Sequence, residues 1–441
     1  MKKQKLSPFA VVAISFLSII LFGMLLLKLP FATKAGVDAL SWIDSLFLST
    51  SAVCVTGLST IPNIAETLSI FGKIVLAVLI QVGGLGIVTI AIYVLVVLGI
   101  KIGVTERYVL KEALNQHHLG GMIKLVRSII ITSFIIEGFG FILNFIVFIQ
   151  DFEFLNAVGH AAFHTISSFN NAGFDILGAT SLQAYSGNIL FNINTMLMIV
   201  IGGIGFIVIR DLLEKKSWKT LSIYSKIVLK TTLILIVLGT LVIKLFEYDN
   251  VTWLQAIFQS VTTRTAGFST VNISLFSYTT LVVIMMFMFV GASPNSTGGG
   301  IKTTTLFIMF KSITSFLSGK PFITHKRKIE DQNKNKAFVV AILAFSVTMF
   351  MFIIVSAIEA KNTNYNMTFI EVLFETFSAF GTVGLSMGIT PHLMPASRVL
   401  LSVLMFIGRL GPITIFGIMN KNWGHPEISH INYASEKVLV G

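Results

Sequence analysis

Several stretches of this chain run for about twenty residues without a charged side chain, among them Phe9–Leu27 (19 residues), Ile74–Ile100 (27), Ile189–Ile209 (21) and Ala337–Ile358 (22). A backbone that leaves water must satisfy its own amides and carbonyls, and crossing a bilayer as a helix takes about 20 apolar residues. Composition agrees. Hydrophobic residues make up 54% of the chain and charged residues 12%, against roughly 25% charged in ordinary globular domains. The sequence reads as an all-α polytopic membrane protein. Its single cysteine, Cys54, excludes an internal disulfide and a cysteine-based zinc site.

The net charge of +12 is placed in bands. Basic residues gather at Lys2, Lys3 and Lys5, and then in Lys101–Arg127, Arg210–Lys230 and Lys320–Lys336, whereas Asp151–Asn188 holds neither Lys nor Arg. This alternation follows the positive-inside rule and predicts a multi-pass protein with both termini in the cytoplasm. It argues for a lipid environment and against nucleic acid as a partner. The first apolar run is too long for a signal peptide and lacks a small-residue cleavage site, so no cleaved leader is expected.

Eight spans are predicted, at about 9–29, 70–100, 128–150, 189–209, 227–245, 279–317, 337–359 and 398–419. Between each odd span and the next even one lies a run too short to cross: Trp42–Cys54, Leu155–Phe169, Thr252–Thr263 and Thr368–Phe380. We read these as re-entrant pore helices. Irregular backbone at membrane depth is tolerated only where it is buried in protein or lines a water-filled cavity.

Each pore helix ends in a small-residue turn, Val55-Thr56-Gly57, Asn171-Ala172-Gly173, Thr265-Ala266-Gly267 and Thr382-Val383-Gly384. The glycines lie 116, 94 and 117 residues apart. A Phe precedes the glycine by ten residues in three cases (Phe47, Phe163, Phe374) and by nine in the other (Phe258). A second landmark begins 26, 29, 24 and 24 residues after it, at Gly83, Gly202, Gly291 and Gly408. Two landmarks in register define internal repeats. The chain divides as 1–127, 128–226, 227–336 and 337–441, four tandem units of membrane helix, pore helix, filter turn and membrane helix around one pseudo-fourfold pore. Rings of backbone carbonyls can replace a cation's hydration shell, and glycine permits the backbone angles that point them at a common axis. The three residues of each turn, Val55 to Gly57, Asn171 to Gly173, Thr265 to Gly267 and Thr382 to Gly384, are the expected ion-binding filter.

The third repeat departs from the others. After Gly291 it reads Ala292-Ser293-Pro294-Asn295-Ser296-Thr297-Gly298-Gly299-Gly300. Proline removes a helix donor and three glycines weaken a helix, so a non-helical intramembrane loop is predicted here. The other second spans are expected to continue as helix past their glycines, with Gly83–Gly86 and Gly202–Gly205 serving helix packing. Arg409 is the lone basic residue inside its span and aligns with Gly84, Gly203 and Ala292. Intramembrane charge faces protein or a cavity. We expect the guanidinium to bind the Asn295, Ser296 or Thr297 side chains or the freed carbonyls of the loop. Glu137, inside the third span, is expected to be structural, and so are His160 and His164, which lack a third ligand for a metal. Asp44, Glu371 and Glu375 are expected to cap helices or face the outer vestibule. Arg264 is expected to brace the filter from behind.

The sequence resembles the membrane subunit of bacterial Ktr-type potassium uptake systems, in the Trk/Ktr/HKT superfamily. The likeness rests on VTGL at 55–58, NNAGF at 170–174, RTAGF at 264–268, FSAFGTVGLSM at 377–387, GASPNSTGGGIKTTT at 291–305 and MFIGRLGP at 405–412. It implies channel-like potassium uptake across the cell membrane, driven by the membrane potential, with no enzyme activity, potassium as substrate and no cofactor in this chain. It implies that residues 295–300 form a mobile gate. It also implies a homodimer served by a cytosolic ring of nucleotide-binding regulatory subunits, with ATP favouring the active state. Some relatives that favour sodium carry serine at the first filter glycine, where this chain has Gly57. A sodium- or ammonium-permeable transporter on the same scaffold is the alternative. A membrane enzyme built on His160 and His164 would need a buried acid–base or metal constellation that the sequence does not offer. No nucleotide-binding motif is present in the sequence.

Overall fold

The computed structural model describes residues 7–100, 102–114, 120–324, 326–412 and 414. The basic residues Lys2, Lys3, Lys5 and Lys101, and the part of the last expected span beyond 414, lie outside the described residues.

The first repeat holds α1 (Pro8–Lys28), pore helix α2 (Trp42–Val53), a short α3 (Ile64–Thr67), and a second helix in two pieces, α4 (Ile70–Leu85) and α5 (Ile87–Val97). After the linking helix α6 (Val104–Ala113) come α7 (Met122–Phe148), pore helix α8 (Phe154–Phe169), α9 (Ile189–Ile204) and α10 (Phe206–Lys215). The third repeat comprises α11 (Ile223–Phe246), pore helix α12 (Trp253–Thr262), α13 (Tyr278–Phe289) and α14 (Thr303–Leu317). A small antiparallel hairpin, β1 (Ile323–Thr324) with β2 (Arg327–Lys328), leads to α15 (Asp331–Glu359), pore helix α16 (Phe369–Gly381) and α17 (Pro395–Leu410). Ser, Thr and Asn side chains begin most of these helices. Thr252 and Thr368 form capping boxes with Gln255 and Glu371, so these two pore helices start where their first free amides find oxygens.

The first helix of every repeat (α1, α7, α11, α15) is unbroken and is long and apolar enough to cross a membrane. Among the described residues none of the second helices is both unbroken and that long. The α4/α5 and α9/α10 pairs bend by 96° at Gly86 and Gly205, whose φ angles are 86° and 92°. In the last repeat α17 stops at Leu410, before Gly411 at φ 84°. The expectation of continuous helices past these glycines is therefore wrong. A left-handed residue ends an α-helix, and glycine adopts that conformation without steric cost. Hydropathy does not register the break because both flanks are apolar.

Pore helices sit at the centre. The in-register phenylalanines are core: Phe47, Phe258 and Phe374 are wholly buried and Phe163 nearly so. The landmark glycines let second helices back onto pore-helix ends. A Cβ added to Gly83, Gly202 or Gly408 would stand within 3.0 Å of the carbonyl oxygen of Val53, Phe169 or Phe380. Close approach through small residues is the ordinary way membrane helices pack.

Candidate functional site

The four turns form a closed ring. In each, the first and third residues have positive φ: Val55 and Gly57, Asn171 and Gly173, Thr265 and Gly267, Thr382 and Gly384. A β-branched residue in that region is strained, and such strain concentrates at functional sites. Neighbouring turns interlock in one sense around the ring. A Cβ on Gly57 would meet the Ala172 carbonyl, one on Gly173 the Ala266 carbonyl, one on Gly267 the Val383 carbonyl and one on Gly384 the Thr56 carbonyl, each within 3.0 Å. The order is 1, 2, 3, 4 and back to 1, which is the expected pseudo-fourfold arrangement. The middle amides of all four turns are tied back to their pore helices, Thr56 N–H to Ser51 O (2.8 Å), Ala172 N–H to Ser167 O (2.8 Å), Ala266 N–H to Thr262 O (2.9 Å) and Val383 N–H to Ser378 O (2.9 Å). The Asn171 side chain and the Thr265 hydroxyl share a hydrogen bond of 3.1 Å between repeats. Outside the ring lies a cavity of about 350 Å³ whose lining includes all four filter glycines.

On the opposite side of the ring the loop at residues 290–302 crosses directly beneath it. Gly299 N–H donates to the Thr382 hydroxyl (3.0 Å), and a Cβ on Gly298 would collide with the Thr265 hydroxyl. The interrupted second helices explain how the loop is held. The last turn of a helix has carbonyls without partner amides. Gly202 O and Gly203 O, at the end of α9, accept from Thr297 N–H (3.3 Å) and Ser293 N–H (3.0 Å). Gly408 O, in the last turn of α17, accepts from Gly300 N–H (3.3 Å). In the first repeat the guanidinium of Arg409 occupies that place, donating through Nη2 to Gly83 O (2.5 Å) and Gly84 O (3.3 Å) and through Nη1 to the Thr297 carbonyl of the loop. A cation at a helix C-terminus is favoured by the helix dipole. All the other repeats thus grip the loop through their landmark glycines.

Arg409 therefore meets the loop through a backbone carbonyl and not through the Ser296 or Thr297 hydroxyl or the Asn295 amide. The Ser296 hydroxyl donates to Ser293 O (2.6 Å), the Thr297 hydroxyl is directed at Phe169 O (3.4 Å), and the Asn295 carbonyl accepts from Phe206 N–H (3.0 Å). Sequence reasoning missed the Gly83 and Gly84 carbonyls. It also missed Lys302, whose ammonium donates to Gly298 O at 2.8 Å and adds a second cation to the loop.

Of the two placements expected for the acids, Asp44 and Glu371 take the helix start. Asp44 pairs with Arg398 across the boundary between repeats 1 and 4 (2.6 Å) and bonds to Ser41 at its helix start. Glu371 closes its capping box. Glu375 is buried against the hydroxyls of Ser386 and Thr390. Glu137 is buried and accepts from Gln81 Nε2 (2.9 Å), and Asn170 at the end of the second pore helix donates to Gln81 (2.7 Å). His164 bonds to the Thr195 hydroxyl (2.9 Å) and stacks on Phe191, while His160 stacks on Phe152. Asn144 and Asn194, which the sequence reading did not single out, join this pore helix to its neighbours through Thr165 (2.8 Å) and each other (2.9 Å). Arg264 is buried behind the third turn, toward the Thr232 carbonyl of α11.

A polytopic bundle with re-entrant pore helices and a central ring of carbonyl turns defines an ion transporter and not an enzyme. Residues 17–423 match the family model described as "TrkH: Cation transport protein", and the chain belongs to this family. It is 37% identical to the "Ktr system potassium uptake protein B" of Bacillus subtilis over its whole length and 98% of that protein. It is 35% identical to the "Potassium/sodium uptake protein NtpJ" of Enterococcus hirae, again over its whole length and 98% of that protein. The fold matches the crystal structure of the potassium transporter TrkH from Vibrio parahaemolyticus with a TM-score of 0.71, at 18% identity, over 96% of this chain and 87% of that one.

Proposed function

We propose that this chain is the membrane subunit of a potassium uptake system, passing potassium through the ring of four turns down the membrane potential. The observation that carries this reading is the cyclic interlock of four glycine turns, each with positive φ at its first and third residues. Potassium is suggested by the names of the relatives, and backbone carbonyls supply the oxygens a dehydrated potassium ion needs. Each monovalent charge gains about 2.3 kcal/mol per 100 mV of potential, so transport needs no catalytic residue and no cofactor.

Residues 295–300 then act as the gate, and Arg409 holds the gate closed by joining it to the end of α4. Its charge also opposes a cation in the path. Control comes from a cytosolic ring of nucleotide-binding subunits, the transporter is a homodimer in the cell membrane, and both termini are cytoplasmic. The name of the Enterococcus protein supports sodium permeation as a second reading. Flux into liposomes carrying the purified chain, compared for potassium, rubidium, sodium and ammonium, tests the proposal. Potassium and rubidium should move faster than sodium. Movement of ammonium alone would overturn it.

A further inference from the structure

The ring of turns has a second, outer ring that the filter reading does not use. Two residues after each filter glycine stand Ser59, Asp175, Ser269 and Ser386. All four line the 350 Å³ cavity outside the filter. They share one local geometry, since the side-chain oxygen of each accepts the amide two residues on: Ile61 N–H to Ser59 (3.0 Å), Leu177 N–H to Asp175 (3.2 Å), Val271 N–H to Ser269 (3.3 Å) and Gly388 N–H to Ser386 (2.9 Å). The positions are equivalent by sequence offset, by hydrogen bond and by cavity, yet three are hydroxyls and one is a carboxylate. Among the described residues Asp175 is the one charged side chain lining the cavity. The Ser181 hydroxyl and the Gly178 amide also approach it, and burial raises its carboxyl to about 6.

We propose that Asp175 makes this outer ring a binding site for a partly hydrated monovalent cation, which it concentrates at the mouth of the filter. The proposal rests on the filter reading above and deepens it. A carboxylate in a cavity walled by protein focuses its field on the entering ion. The Ser59 and Ser386 hydroxyls and retained water supply neutral oxygens for the same ion, while the Ser269 oxygen is already taken by Gln259 Nε2 (2.7 Å) and Val271 N–H (3.3 Å). Asp175 thereby sets the affinity for external potassium, and the filter sets selectivity.

The test is potassium uptake into liposomes carrying the full chain, measured against external potassium at low and high choline chloride. Asp175→Asn keeps an acceptor oxygen for Leu177 N–H and removes the charge. We expect the apparent KM for potassium to rise about fivefold at low salt, with maximal rate and potassium-to-sodium ratio unchanged, and the difference to shrink at high salt as screening grows. Asp175→Ser should behave likewise. Adding Ser59→Asp to Asp175→Ser moves the charge to the neighbouring repeat and should return the KM to within about twofold of the original, which a purely structural Asp175 would not permit. A KM unchanged by either Asp175 variant overturns the proposal. So does a change in selectivity at constant KM, which would make Asp175 a support of the filter. A wild-type chain that carries no cation overturns the transport reading itself, and the wild-type trace alone shows which of the two has failed.

Discussion

The two layers of the pore differ in symmetry. In the filter layer the four repeats contribute equivalent turns, with the same pair of positive φ angles and the same interlock between neighbours. The layer beneath is built by one repeat, whose loop is held by the landmark glycines of the other three, one of them through Arg409. A ring that selects an ion by its surroundings needs equal contributions from every side. An obstacle that opens and closes needs a single element with breakable bonds. The asymmetry lies in a loop that the third repeat alone carries and in second helices of the other repeats that end early and leave carbonyls to hold it.

The largest expected effect comes from breaking the symmetric layer. Gly57→Ser places a Cβ against the Ala172 carbonyl and strains a residue at φ 97°, so the potassium-to-sodium flux ratio should fall at least about tenfold. Gly173→Ser should act alike if the turns are equivalent. An unchanged ratio in both would remove these glycines from the filter. Deleting Gly298–Gly300 attacks the other layer and should raise flux without a cytosolic partner several-fold, with little change in that ratio. Flux no higher than that of the intact chain would end the gate assignment.

A smaller effect is expected at the hairpin between α14 and α15. Neutralising Lys326, Arg327 and Lys328 should weaken stimulation by the regulatory partner about two- to threefold while leaving selectivity intact, read by pull-down and flux together. Altered selectivity with intact coupling would contradict it. The smallest effect should come from Asn144→Ala. Hydrogen bonds between membrane helices contribute about 0.6 kcal/mol on average, so thermal stability should drop by a few degrees at unchanged flux per folded protein. A change in selectivity there would mean that the second pore helix, and not only its turn, tunes the filter.

The ring of four turns was legible in the sequence because its signal is repetition: glycine, phenylalanine and a second glycine recur in register. The bends at Gly86 and Gly205 were hidden, since an apolar helix that turns through 96° has the same hydropathy as a straight one. The loop was visible through Pro294 and the glycine run, but its anchors are backbone carbonyls on other repeats, and no residue type marks which carbonyl will be free. Arg409 announced itself as a lone charge and its partner in the loop could be anticipated, whereas Gly83 and Gly84 could not. Asp44 was expected at a helix start or facing the vestibule; it lies in the first turn of α2, but its pairing with Arg398, 354 residues away, left no mark in the sequence. Asp175 was overlooked because its meaning lies in comparison with Ser59, Ser269 and Ser386, which only the shared cavity brings together.

The separation of the two layers is tested most directly by Arg409→Ala in liposomes, with potassium flux per folded protein and the potassium-to-sodium ratio read from the same vesicles. Removing the guanidinium frees the Thr297 carbonyl and the α4 terminus from each other while leaving the four turns untouched. The expected result is a several-fold rise in basal potassium flux at a constant ratio. Unchanged flux in a well-folded protein, or a rise accompanied by loss of selectivity, would contradict the account.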